Sequence, residues 1–123
     1  MPDGPPKNLR LRRASRLASS REFALIRQNG RRLALGCLIA NWRIMPDGSN
    51  SRLGVVTAKS IGNSVKRSRA RRLLRESFRL HQHDLAAPVD LVLVARPSIV
   101  QKDFAGVEKD YLCVLSRSKL LKA

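Results

Sequence analysis

Residues 52–80 read "RLGVVTAKSIGNSVKRSRARRLLRESFRL", and the way this stretch divides decides the fold. Its opening, "RLGVVTA" (52–58), is rich in β-branched side chains and predicts a strand. "KSIGN" (59–63) predicts a loop around Gly62. A helix follows, with Asn63 or Ser64 as its cap. Wound at about 100° per residue, residues 64–80 separate into two arcs. Ala70, Leu73, Leu74, Ser77, Phe78 and Leu80 form one, which is expected to cover a sheet. Ser68, Arg71, Arg72, Arg75 and Arg79 form the other, with Arg69 at its flank and Lys66 and Arg67 in the first turn.

Residues 64–80 hold seven Lys or Arg and a single acid, Glu76. The ordinary meaning of such a run is a solvated helix face. Two features oppose that reading. Arg71/Arg75 and Arg75/Arg79 are like-charge pairs four apart, each costing about 0.2–0.5 kcal/mol. Cations in the first turn also oppose the helix dipole, by about 0.3–1 kcal/mol each. A helix that needed only to be soluble would mix in Glu at these positions. A docked polyanion reverses the sign of all these terms, so the helix is read as a polyanion-binding surface.

Outward from this core, "SSREFALIRQNG" (19–30) predicts a short helix. Ser19 and Glu22 form a capping box, Phe23 and Ile26 supply the buried stripe, and Gly30 ends it. "LALGCLIANWRI" (33–44) is rich in β-formers, with Leu38, Ala40, Trp42 and Ile44 on one side. It is separated from 52–58 by the turn "PDGSNS" (46–51), which predicts an antiparallel hairpin. After Pro88, "VDLVLVA" (89–95) is a continuous apolar run suited to a strand buried on both faces. Residues 102–121 place Phe104, Val107, Tyr111, Val114 and Leu115 at helical spacing. The order is helix, strand, strand, helix, strand, helix. It predicts one α+β domain over 16–121, a two-layer sandwich, preceded by a flexible basic arm over 1–15 that carries Arg10, Arg12 and Arg13.

The charge balance narrows the partners. Against 9 Asp and Glu the chain has 25 Lys and Arg, for a net charge of +16. Nearly all of this excess lies in residues 1–80. A folded domain with its cations gathered on one part of the chain points to nucleic acid or an anionic membrane. Arginine predominates, and its planar fork suits phosphates and stacks on bases. No apolar run approaches the ~18 residues of a spanning helix, and the N-terminus has no secretory h-region. A cytoplasmic location with no membrane partner is therefore expected. Cys37, in the first strand, and Cys113, in the last helix, are expected to be reduced and buried rather than bridged.

Signals for catalysis are thin. The acids are too few and scattered to nominate a carboxylate pair. His81, His83 and Asp84 ("HQHD") resemble a metal tract only superficially and read as solvent-facing histidines that aid nucleic-acid contact. "KSIGNS" lacks the Gly-Lys-Ser/Thr ending of a P-loop. There is no zinc-finger spacing and no heptad zipper. The basic helix can lie along phosphate backbones. Phe23 and Trp42, near Asn41, offer either core packing or a stacking surface for single-stranded bases.

One stretch resembles a known signature. "RLGVVTAKSIGNSVKRSRARRLLRESFR" (52–79) is similar to the central motif of the bacterial ribonuclease P protein subunit. That motif has an Arg-x-Gly strand, a Lys in the next loop, a Gly, and an Arg-Asn-Arg-x-Lys/Arg-Arg-x-x-Arg helix. Arg52, Gly54, Lys59, Gly62, Val65, Arg67, Arg69, Arg71, Arg72 and Arg75 fall into this frame. "RLASSREF" (16–23) looks like the family's entry into its first helix, and "VDLVLVARPS" like the strand after the crossover.

The resemblance implies a fold like the second domain of ribosomal protein S5, with a left-handed βαβ crossover that the general handedness rule would not predict. It implies that the catalytic RNA meets Lys59, Lys66, Arg67, Ser68, Arg69, Arg71, Arg72, Arg75 and Arg79. It also implies that the single-stranded 5′ leader of precursor tRNA lies in a cleft between the basic helix and the sheet, with Phe23, Arg27, Asn41 and Arg52 at hand. Catalysis would belong to the RNA and its Mg²⁺, the chain alone holding no cofactor, and no DNA partner is expected. Three positions depart from the pattern: Ser68 replaces the motif's Asn, Ser60 a second Lys, and Arg27 a second aromatic. The departure at Arg27 suggests a more electrostatic grip on the leader. A structural RNA-binding protein of the ribosomal type, without a processing role, is the alternative, and a small DNA-binding regulator is a third.

Overall fold

The structure, a computed structural model, describes residues 16, 17 and 20–122. The expected arm over 1–15, and Ser19 of the expected capping box, lie outside the described residues. Seven regular elements follow in order: α1 (Ser20–Asn29), β1 (Arg31–Leu35), β2 (Leu38–Ile44), β3 (Arg52–Val56), α2 (Ser64–His81), β4 (Val89–Ala95) and α3 (Phe104–Arg117). Short 3-10 turns at Lys59–Ile61 and Pro97–Gln101 lead into α2 and α3. The architecture is the expected single α+β domain, three helices on a four-stranded mixed sheet.

Two expectations about the strands are corrected. The run 33–44 is not one strand, because Gly36, at φ 59°, turns the chain between β1 and β2. That backbone conformation suits a glycine in a tight hairpin. Cys37 consequently sits in the turn, buried, and not in a strand. Nor do residues 33–44 and 52–58 pair as a hairpin. The sheet order is β1-β2-β4-β3, so β4 lies between β2 and β3, antiparallel to the first and parallel to the second. The physical reason is the composition of β4. As the strand with least polar surface it takes a central slot and is buried on both faces, as its apolar run predicted. β3 and β4 are thus joined through α2 by a strand–helix–strand crossover.

Alternation in β4 assigns the faces. Leu91 and Leu93 join Leu38, Ala40, Trp42, Leu74, Phe78, Val107 and Tyr111 in the main core, under α2 and α3. Val92 faces the other way and packs with Ile26 of α1 and Leu17, with Phe23, Val56 and Val94 against them. α1 therefore covers the opposite face of the sheet from α2 and α3. Ala70, Leu74, Ser77 and Phe78 are the buried arc of α2, as the helical wheel requires, while Leu73 and Leu80 are half-buried. Each fully buried Leu or Phe contributes about 1.5–3 kcal/mol, which outweighs the like-charge cost on the far side of α2. Ile44 shares the side of Trp42 but lies beyond the helices and is exposed.

Both cysteines are free thiols. Burial, reinforced by the neighbouring carboxylate of Asp110, pushes the Cys37 thiol up to about 12, so it stays protonated and inert. Asp110 accepts the Cys37 backbone N–H at 3.0 Å and lies 3.2 Å from Lys102 Nζ, tying α3 to the β1–β2 turn.

Candidate nucleic-acid interface

The N-terminus of α2 is set by Asn63, whose side-chain oxygen accepts the Lys66 backbone N–H at 3.0 Å. No acid stands in the first turn. Lys59, Lys66, Arg72 and Arg75 are exposed and Arg67 half-buried, and none of the five forms an ion pair among the described residues. Arg71 is braced by two hydroxyls, donating to Thr57 Oγ1 at 2.8 Å and Ser68 Oγ at 3.0 Å. The hydroxyls hold the guanidinium without neutralising it. Ser68 thus has a structural partner on its own helix, three residues on. Val65, 73% exposed, adds an apolar side chain among these cations.

Two of the expected contact residues are engaged otherwise. Arg69 donates to the backbone carbonyl of Lys102, which fixes α2 to the start of α3. Arg79 is bonded to Glu76 through both carboxylate oxygens, and this bond holds Glu76 below the usual carboxylate range. The HQHD stretch is corrected as well. His81 is turned inward, with Nδ1 3.1 Å from Asp84 and Nε2 2.9 Å from Glu108 of α3, beside the Tyr111 ring. Burial lowers its pKa, but the two carboxylate bonds more than compensate and raise it. It is a strap between α2 and α3. Among the described residues no group of three His, Cys, Asp or Glu side chains is placed to hold a metal ion.

The second expected surface, a cleft walled by α2 and Phe23, does not exist in that form. α2 is packed down on its face of the sheet, and Phe23 lies on the other face, with α1. There Phe23 rests on Gly54, where an added Cβ would come within 2.5 Å of its ring. The glycine of the Arg-x-Gly strand is thus the seat of the aromatic ring. Asn41 and Arg52 share this face. Asn41 is buried in the row Arg32–Asn41–Val92–Gly54 that register sets across the four strands. Arg27 is exposed on α1. The next row, Ala34–Ile39–Val94–Val56, is only partly covered and ends where Thr57 meets Arg71. An apolar trough beside Phe23 therefore runs to the edge of α2.

Arg52 is not an open cation. Its guanidinium donates to Asp90 at 2.8 and 2.9 Å and lies 2.7 Å from Glu22 of α1. Asp90, with a fully buried side chain, also accepts from Arg43 at 3.1 Å. Burial pushes the Asp90 carboxyl up, but Arg52 and Arg43 overcome this and hold it below its ordinary value. An acid inside the run "VDLVLVA" signals such a partner, since a carboxylate in a doubly buried strand must be paired. A second cation cluster, Arg31, Arg32, Arg117 and Lys119, frames a hollow by Trp42 at the far edge of the sheet. Sequence reading missed it because these residues come from opposite ends of the chain.

Fold and surface together define a small α+β protein whose second helix carries a row of cations largely without carboxylate partners, a surface suited to a polyanion. The match to known proteins then places it: the Ribonuclease P family model covers residues 11–119, and the chain belongs to that family. It is 34% identical over 110 residues to the ribonuclease P protein component of Syntrophomonas wolfei, spanning 89% of this chain and 92% of that one. The ribonuclease P protein of Thermotoga maritima shares the fold with a TM-score of 0.73 and 29% identity, covering 83% of this chain and 96% of the other. That of Staphylococcus aureus does so at 0.79 and 23%, covering 88% and 98%.

Proposed function

We propose that the chain is the protein component of ribonuclease P, assisting endonucleolytic removal of the 5′ leader from precursor tRNA in the cytoplasm. The observation that carries this reading, beside family membership, is the set of α2 cations without a carboxylate partner: Lys66, Arg67, Arg71, Arg72 and Arg75, with Lys59 just ahead. Such a surface is costly to a free protein and favourable once phosphates screen it. It is assigned to the catalytic RNA. The trough beside Phe23 is assigned to the single-stranded leader, with the ring as a stacking platform and Arg27 at its rim. Because the trough ends beside Arg71, leader and catalytic RNA would meet at the β3 edge. Hydrolysis is left to the RNA and its Mg²⁺, and the protein lowers the Mg²⁺ requirement by neutralising phosphate repulsion.

The test is leader release by the cognate catalytic RNA at low Mg²⁺, with and without the purified chain. Stimulation is expected, and it should weaken as the leader is shortened. No stimulation over RNA alone would favour a structural RNA-binding role.

A further inference from the structure

Between α2 and the start of α3 lies a groove that the proposed leader trough does not involve. Its volume is about 520 Å³, and it is lined by Leu73 and Phe104 together with Arg69, Arg72, Arg75 and Glu76. That size falls among sites for small organic groups. Its acids are already committed: Glu76 is held by Arg79, and nearby Asp103 caps α3 by accepting the Gly106 N–H at 2.9 Å. Arg69 is fixed through the Lys102 carbonyl and makes a rigid wall. Arg72 and Arg75 remain exposed and without an ion pair among the described residues.

An aromatic and an aliphatic side chain ringed by guanidinium groups suit a ligand that is flat in its body and anionic at its edge. Guanidinium planes stack on bases and also fork onto phosphates, and an aromatic ring stacks on bases without regard to sequence. We infer that this groove receives a single unstacked nucleotide of the catalytic RNA, its base over Phe104 and Leu73 and its phosphate between Arg72 and Arg75. The inference rests on the RNA-binding role proposed above and adds to it a stacking site between α2 and α3. An acidic peptide would match the charge, but the groove is continuous with the phosphate-facing side of α2, which favours the nucleotide.

Stacking and phosphate contact differ in their response to salt, and this separates them. Affinity of the full chain for the catalytic RNA is measured across a salt series for four proteins: wild type, Phe104→Ala, Phe104→Leu, and Arg72→Ala with Arg75→Ala. Phe104→Ala is expected to weaken binding roughly 5- to 150-fold, the range for one lost base–aromatic stack, with the slope of log K against log salt unchanged. Phe104→Leu keeps an apolar side chain at the start of α3 without the aromatic ring, so it controls for folding. It should still lose about threefold or more, again at constant slope. The double Arg variant should reduce the slope by about 1 or more. Wild-type affinity in both Phe104 variants would overturn the groove assignment while leaving the α2 phosphate surface intact. Loss of binding to a labelled Glu/Tyr copolymer, with RNA affinity unchanged, would make the groove a peptide site and overturn it too. Failure of the wild-type chain to bind the catalytic RNA would instead remove the proposed function itself.

Discussion

Asp90 and Gly54 carry much of the architecture on the α1 face. Asp90 gathers Arg43 and Arg52 and, through Arg52, Glu22 of α1. Replacing it with Asn leaves Arg43 without a carboxylate and Arg52 with Glu22 alone, and Asp90→Asn is expected to cost about 2–3 kcal/mol by urea denaturation, below the roughly 3–5 kcal/mol of a fully buried pair because both guanidinium groups are partly exposed. The pH dependence has a definite sign. The folded pKa is depressed, so the stabilisation is fully present above the unfolded value of about 3.9 and is lost as pH falls through the folded one. The gap between wild type and variant should therefore narrow below pH 4; a constant gap would show that Asp90 acts by shape alone. At Gly54, alanine would push against the Phe23 ring, with the Leu17 Cβ 3.3 Å away. Gly54→Ala is expected to cost about 1–3 kcal/mol and to weaken binding of leader-bearing precursor more than of mature tRNA. Equal effects on both would separate Phe23 from the leader. A glycine in a strand is one signal of a close approach, but that the Phe23 ring is what rests on Gly54 is decided by the tertiary fold.

α2 is built from two separate commitments, one face to the core and one to a partner. Substituting Arg67 and Arg71 by Ala is expected to flatten the salt dependence of binding to the catalytic RNA by about 1–2 in slope, near 0.7–0.9 per phosphate lost. An unchanged slope would mean that Arg71 serves only to join Ser68 and Thr57. The C-terminal end of the helix is held by His81. Facing it are Asp84, Glu108 and the Tyr111 ring. Its folded pKa is raised, so the charged strap stabilises fully below about 6.5 and is lost as pH rises through the folded value. Wild type should exceed His81→Gln in stability by roughly 1 kcal/mol or less near pH 6, the difference vanishing by pH 9. A difference that persists at pH 9 would assign the strap to neutral hydrogen bonds. The helix period revealed the buried arc of α2 in advance, whereas the inward turn of His81 depends on α3, which lies far along the chain.

The molecule as a whole carries +16, and self-repulsion opposes its compact state. Raising NaCl from about 20 to 200 mM shortens the Debye length several-fold, so the Tm of the free chain is expected to rise by about 2–5 °C; a fall would show that ion pairs such as Asp90–Arg52 outweigh repulsion. A catalytic RNA that binds the folded form more tightly than the unfolded polycation should raise Tm further.

What could be known without coordinates was whatever is written locally. A 3.6-residue period marks α2 as an amphipathic cationic helix, a continuous apolar run marks β4 as buried on both faces, and a contiguous motif marks the family. Strand order is not local. β2 and β3 flank β4 and not one another because the most apolar strand takes a central position, and that choice places Phe23 and α2 on opposite faces of the sheet. It also brings Arg52 onto Asp90, 38 residues away, bracing a residue that the family resemblance sets beside the leader. Such pairings arise from competition among all the strands and helices for a limited buried surface, which no single stretch of the chain encodes.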